Sequence, residues 1–364
     1  MARVRYRIDL RQLQENFSVL RCHAGSCKLM PVLKYDAYGL GALKIGECLR
    51  AAGAVRFAGA TLDEAIELQK LGLPVQILGL LMDDEIAETV NAGIIAPVAN
   101  FEVAQKLSKE ACRQQKSVRI AVKLDTGMGR AGLMADNAAE IIPEIVKLPG
   151  LVPDSLFSHF STAAQPDMFF ADLQIDRFCT VHEKLRQAGI IFPNCHHAAG
   201  DAVLKLPRSV REPFNMARPG GNMYGDDFTG SCRQIVSLQT YIGDIREIPA
   251  GGSVNYFRTY IAPAPVKVAV LPAGYADGIP LALSNRGEVL IAGVKCPVLG
   301  RVTMDYTVVD ISAVPEAKVG DPVILLGKDG ANEITVKSWG MLKNTHGHEI
   351  WCSIGRRAVR EYII

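Results

Sequence analysis

Up to about residue 225, short runs of β-branched and apolar residues alternate with longer stretches whose apolar positions recur every three or four residues, the pattern of strand followed by amphipathic helix. The strands this predicts are KLMPVLK (28–34), FAGAT (57–61), VQILG (75–79), IIAPVA (94–99), SVRIAVKLD (117–125), SLFSHFS (155–161), FPNCHHAA (192–199) and FNMARPGG (214–221). Intervening stretches such as LDEAIELQKLG (62–72) and FFADLQIDRFCTVHEKLRQAG (169–189) close on Leu-Gly or Ala-Gly, which suits a left-handed C-terminal cap. Eight strands with helices between them in about 200 residues read as a (β/α)8 barrel of the TIM type. Past residue 230 the helical period fades, and IVSLQTYIGDI (235–245), VKVAVLP (266–272), GEVLIAG (287–293), VKCPVLG (294–300), YTVVDIS (306–312) and DPVILLG (321–327) follow with turn residues between them. The chain therefore divides into an α/β barrel domain, 1–229, and a β-rich domain, 230–364.

Barrel active sites lie at the C-terminal ends of the strands, so the polar residues at those ends are the candidates for chemistry. The first strand ends on Lys34, the fifth on Lys123 and Asp125 with Arg130 just beyond, the sixth on His159, the seventh on His196 and His197, and the eighth on Arg218. Strands two to four end on GAT, LGL and PVA, without charge. A mouth so rich in cations and imidazoles on one side suits an anionic ligand, a phosphate or a carboxylate. An amine that leaves an apolar run is suited to attack a carbonyl. Imine chemistry beside a phosphate site suggests pyridoxal phosphate, with Tyr38 and the amides of RPGG (218–221) serving the phosphate and Arg130 and Arg218 the ring.

Composition narrows the partners. Forty basic and 38 acidic residues leave a net charge of +2, dispersed without basic runs, which gives no case for nucleic acid or an anionic membrane surface. Nine single cysteines without a C-x-x-C pair argue against a disulfide framework or a zinc site, so no metal is expected. No apolar run approaches a membrane span, and the first residues lack a secretory h-region, so a cytoplasmic protein acting on a small molecule is expected.

Seven motifs in order resemble the alanine racemase family: KYDAYGLGA (34–42), KLDTGMGRAG (123–132), SHFSTA (158–163), FNMARPGGNMYG (214–225), VNYFRTY (254–260), PAGYADG (272–278) and GRVTMD (300–305). The resemblance runs from about residue 5 to about residue 360 and implies an enzyme, a pyridoxal-phosphate-dependent isomerase that interconverts L- and D-alanine and supplies D-alanine for peptidoglycan. By the same resemblance Lys34 holds the cofactor as an imine and serves as one base, on the D face, while Tyr256 serves the L face. Arg130 contacts the cofactor's phenolic oxygen and the substrate carboxylate, Met304 and the entryway Tyr275 contact substrate, and Asp305 supports that loop. His159 lies near the ring, Arg218 faces the pyridine nitrogen and is oriented by His197, and Tyr38, Gly220 and Gly221 lie by the phosphate. Lys123 matches a lysine often carbamylated in the family, where it fixes Arg130. The family forms a head-to-tail homodimer, which implies that Tyr256 acts in trans.

The chain also departs from the family's spelling. Gly200-Asp201 stands where Asn-Ser is common, and Arg356 where a tyrosine serves the phosphate. A carboxylate beside a phosphate dianion is unfavourable, so the expectation is an anchor rearranged around Arg356, paired with Asp201. Tyr35, Leu40, Gly221-Asn222 and Thr303 are milder differences, which bear on substrate range. Racemisation of other amino acids such as serine or lysine, and a catalytically silent pyridoxal-phosphate carrier, are the alternatives; Tyr256 speaks against the second.

Overall fold

The computed structural model describes residues 2–226 and 229–364. Lys28–Leu29 pairs in parallel with Met216–Arg218, and the sheet continues through Asn194–Ala199, Leu151–Phe157, Val118–Asp125 and Ala96–Val98. A parallel bridge from Ile95 to Gln76 leads to the pair Val75–Ile77 and Phe57–Gly59, and a second from Ala58 to Val32 returns to the first strand. The eight expected strands thus close into one parallel ring. Several are shorter than their apolar runs, because backbone pairing stops before the side-chain pattern does. The sixth is displaced: it runs Leu151–Phe157 rather than 155–161, and its register slips between Ile120 and Ala121 of its neighbour, where Pro153 has no N–H to give the ladder. Ser158 and His159 consequently lie past the strand's end, and His159 lines the mouth.

Helices wrap the ring with one buried face each; in Phe101–Arg113 that face is Ala104, Leu107, Ser108 and Ala111, and the Asn100 side chain caps its start by accepting from the Val103 amide at 2.9 Å. The large core lies between strands and helices. Inside the ring sit two small apolar clusters, Met30, Val32, Ala58 and Met216 in one and Ile95, Ala121 and Phe157 in the other, with Leu78 packed against both.

The β domain is built on a sheet ordered Val294–Pro297, Glu288–Ile291, Pro322–Asp329, Val236–Tyr241, Arg5–Asp9, Val359–Ile363, with Asn332–Ile334 paired to the third of these, and on a three-stranded sheet of Asp244–Ile248, Val266–Leu271 and Thr307–Asp310. One member of the first sheet was expected with the barrel. Arg5–Asp9 lies antiparallel to Val236–Tyr241 and parallel to Val359–Ile363, burying Tyr6 and Ile8, so the segment that precedes the barrel is part of the β domain's sheet. Among the described residues no helix is long and apolar enough to cross a membrane.

Candidate active site

Lys34 does not end a strand. It opens the turn Lys34–Gly39, in which Tyr35, Asp36, Ala37 and Tyr38 all take φ between 51° and 60°. Four successive left-handed non-glycine residues cost roughly 1–2 kcal/mol each, and local bonds offset that cost. The Tyr35 amide donates to Glu64 Oε1 at 2.7 Å, the Ala37 amide to the Leu33 carbonyl at 2.8 Å, and the Ala42 amide to Asp36 Oδ1 at 2.6 Å. The reversed turn swings Tyr38 inward, where its ring packs edge-on to Tyr224 at 5.4 Å and to His348 at 5.3 Å. Its hydroxyl lies above Gly220 so closely that a Cβ there would meet it at 2.7 Å. A Cβ on Gly221 would lie 2.4 Å from His348 Nε2. Two consecutive glycines thus form a floor beneath two side-chain polar atoms.

That floor is one wall of a cavity of about 530 Å³ at the barrel mouth, lined also by Lys34, Tyr38, Lys123, Arg130, His159 and Arg218. The loop carrying Arg130 is set by Asp125, whose carboxylate accepts from the amides of Gly127 at 2.8 Å, Gly129 at 3.1 Å and Arg130 at 3.0 Å. Burial would raise that carboxyl, but these amides hold it below the usual range. Lys123 Nζ and the Arg218 guanidinium lie over the Phe157 ring at 5.6 and 5.7 Å from its centroid. Burial, then the charges of Arg130 and Arg218, push Lys123 down to about 8; burial and Arg130 bring Arg218 to about 9, still a cation at neutral pH. Burial, then Arg218 and Arg130, push His159 down to about 3, which leaves it a neutral ring.

Arg218 is fixed from several sides. Its Nη1 donates to His196 Nδ1 at 2.5 Å and to the His196 carbonyl at 3.0 Å; its Nη2 reaches the carbonyls of Ser158 at 2.6 Å and His197 at 3.0 Å, and His159 Nδ1 at 3.2 Å. The expected orientation of Arg218 by His197 is therefore corrected in part: the His196 ring makes the side-chain contact and His197 contributes its carbonyl. Neighbours on a strand point to opposite faces, and the His197 ring lies outside, stacked on Phe160 at 3.7 Å.

The remaining expected residues lie elsewhere in the same chain. Tyr256 is 68% exposed, in the turn Tyr256–Arg258, and Tyr275 and Met304 are exposed too. Their loops are joined: the Tyr275 amide donates to the Thr303 carbonyl at 2.9 Å, and Arg357 bridges Asp305 at 2.8 Å and Asp277 at 3.0 Å. Arg356, expected at the phosphate with Asp201, is exposed and does not line the cavity, whereas Asp201 lines it and accepts from Asn222 Nδ2 at 3.0 Å. The sequence reading missed Phe157, the orienting role of His196, and His348. His348 lies on the short helix Gly347–Ser353 of the β domain, a stretch with no motif to single it out.

Pyridoxal phosphate fits this donor set. Lys34 offers the amine, Arg218 a guanidinium for the ring, and Tyr38, a buried residue, a hydroxyl with no hydrogen-bond partner among the described residues, above a floor that any side chain on Gly220 or Gly221 would fill. A closed (β/α)8 barrel with an amine on such a mouth, followed by a β domain, is the architecture of a barrel-type pyridoxal-phosphate enzyme. Residues 8–227 match the family model for the alanine racemase N-terminal domain and residues 235–362 that for the C-terminal domain. The chain is 35% identical to alanine racemase 2 of Caldanaerobacter subterraneus over 99% of its length and 94% of that protein, and 33% identical to the alanine racemase of Halothermothrix orenii over 98% and 95%. Among solved structures it superimposes on the alanine racemase of Streptomyces coelicolor with a TM-score of 0.92 at 29% identity, covering 99% of this chain and 98% of that one. For the Bartonella henselae alanine racemase with covalently bound pyridoxal phosphate the TM-score is 0.89 at 25% identity, with both chains fully covered. The chain belongs to the alanine racemase family.

Proposed function

We propose that this protein interconverts L- and D-alanine. The observation that carries the reading is the convergence of Lys34, Arg130 and Arg218 on one cavity at the closed barrel's mouth. Pyridoxal phosphate, when bound, supplies the electron sink that makes the α-hydrogen of a joined amino acid removable. Arg130 answers the substrate carboxylate with a guanidinium on a loop locked by Asp125. Arg218 only donates hydrogen bonds, so a pyridine nitrogen held against it would stay an unprotonated acceptor and the sink would be a weak one, favouring return of the proton over longer-lived alternatives.

Inversion needs proton removal on one face and delivery on the other, and one fixed side chain rarely reaches both. Lys34 holds or returns the proton on the D face. Tyr256 serves the L face from a second copy: it is exposed and does not line its own chain's cavity, and Phe257, Tyr275, Met304 and Tyr306 are exposed large side chains too, which supports a head-to-tail homodimer. In this reading Tyr275 and Met304 also reach the partner's mouth, and the activity belongs to the cytoplasm, where it feeds D-alanine to peptidoglycan synthesis. Purified protein given single L-amino acids is expected to form the D-enantiomer from L-alanine, scored by chiral chromatography. No turnover of alanine in either direction rejects the reading.

A further inference from the structure

We propose that His348, braced by Asp226, is the side chain that binds the cofactor's phosphate in this protein, in the role expected of Arg356; the inference rests on the cofactor reading above. His348 stands on a helix of the β domain but lines the barrel-mouth cavity together with Lys34, Tyr38, Gly220 and Gly221. Its ring is held on three sides, edge-on to Tyr38 at 5.3 Å, to Trp351 at 5.7 Å and to His346 at 5.3 Å. Nδ1 lies 2.9 Å from Asp226 Oδ2, an ion-pair distance at an angle that makes no hydrogen bond. With Nδ1 turned to that carboxylate, Nε2 is left against Gly221, where an added Cβ would lie 2.4 Å from it. The Tyr38 hydroxyl occupies the equivalent place over Gly220, at 2.7 Å from an added Cβ, and has no hydrogen-bond partner among the described residues although Tyr38 is only 6% exposed. Nε2 and the phenol therefore face the same two-glycine floor side by side.

Charge assigns the ligand. The acid in the cavity lining is Asp201, tied to Asn222 directly after the floor, and it opposes any anion placed there. Lys123, Arg130 and Arg218 gather around Phe157 and Asp125 on the barrel strands, so the floor needs a cation of its own. With Nδ1 facing Asp226, Nε2 is the ring atom turned to the floor, placed to give a hydrogen bond to a dianion seated there.

The test separates phosphate from ring. The full chain, freed of cofactor, is titrated by visible absorbance with pyridoxal phosphate and with pyridoxal, which lacks the phosphate, in wild type, His348→Ala, His348→Gln and Arg356→Ala. His348→Ala is expected to weaken pyridoxal phosphate about 10- to 100-fold, the scale of one hydrogen bond to a charged group, and to leave pyridoxal unchanged. His348→Gln, which keeps a donor, recovers part of the loss, and Arg356→Ala alters neither ligand. Unchanged pyridoxal phosphate affinity in His348→Ala overturns the proposal, as does an equal loss for both aldehydes, which would make the ring a packing element for Tyr38. Wild type that binds neither aldehyde overturns the cofactor reading and this inference with it.

Discussion

The two ends of the barrel treat charge in opposite ways. At the N-terminal end Arg56, just before the second strand, is buried and fully answered: it donates to both carboxylate oxygens of Asp154, at 2.6 and 3.1 Å, and to Ser155 Oγ at 3.2 Å. At the mouth Lys34, Lys123, Arg130 and Arg218 make no ion pair among the described residues, and the nearby acids are engaged otherwise. Asp125 accepts from loop amides, and Glu64 accepts from the amides of Tyr35 and Ala60, both at 2.7 Å. One end is electrostatically finished, and the other is left open for a ligand's negative charge. A buried charge with its partner marks structure, and a cluster of like charges with none marks a site.

Removing the mouth's amine should break function without touching the fold. Lys34→Ala is expected to lower alanine racemisation by on the order of 10⁴-fold in both directions, with the urea unfolding midpoint unchanged. Tyr256→Phe should come next, a loss of roughly 10²–10⁴-fold concentrated in α-hydrogen exchange from L-alanine, read by deuterium uptake from each enantiomer; equal slowing from both sides would remove Tyr256 as the L-face base. At the other end the sign of the readout reverses. Asp154→Asn strands Arg56 in the barrel and should cost about 3–5 kcal/mol of stability in urea titration, while activity per folded molecule persists.

Lys123 sharpens the contrast, because its folded-state pKa is depressed to about 8. The folded chain then binds fewer protons than the unfolded chain between about 8 and the ordinary lysine value of about 10.4, so stability climbs as pH rises through that window and the penalty is fully present below it. In carbon-dioxide-free buffer Lys123→Met should therefore stabilise the protein at neutral pH, by on the order of 1–3 kcal/mol, and abolish that climb; a carbamate on Lys123 would reverse the sign by giving Arg130 an anionic partner. The smallest effect belongs to Glu64→Ala, which withdraws one acceptor from the left-handed turn and one from the Ala60 amide and should cost about 1–2 kcal/mol, seen as faster hydrogen exchange at the Tyr35 and Ala60 amides.

Much of this site was legible because a barrel converts strand order into position. Once the eight runs were counted, Lys34, Lys123, Arg130, His159 and Arg218 had to share one end. What stayed hidden depends on features that local pattern does not carry. Tyr-Asp-Ala-Tyr holds no glycine to signal a left-handed turn, and the bonds that sustain it include one to Glu64 on a later helix, which local pattern does not show. His196 and His197 are adjacent, and period-2 alternation puts one inside without saying which. Phe157 reads as ordinary core, and its place between two cations follows from register with Lys123 and His196. His348 and the strand Arg5–Asp9 are set by pairings hundreds of residues apart, which is why the first was overlooked and the second was assigned to the barrel.

The position of Arg5–Asp9 also bears on how the chain leaves the ribosome. Its two partners, Val236–Tyr241 and Val359–Ile363, are made late, the second after roughly 20–70 s at about 5–20 residues per second. Until each partner is made the corresponding edge of Arg5–Asp9 stays unpaired, the one that meets Val359–Ile363 for longer than the one that meets Val236–Tyr241. Arg5 and Arg7 keep that waiting segment unattractive to other strands, and they meet Glu361, at 3.6 and 3.9 Å, when the last strand arrives. That edge of the sheet is thus closed only after residues 359–363 are made, and a nascent chain arrested before residue 359 would carry Arg5–Asp9 with one edge open.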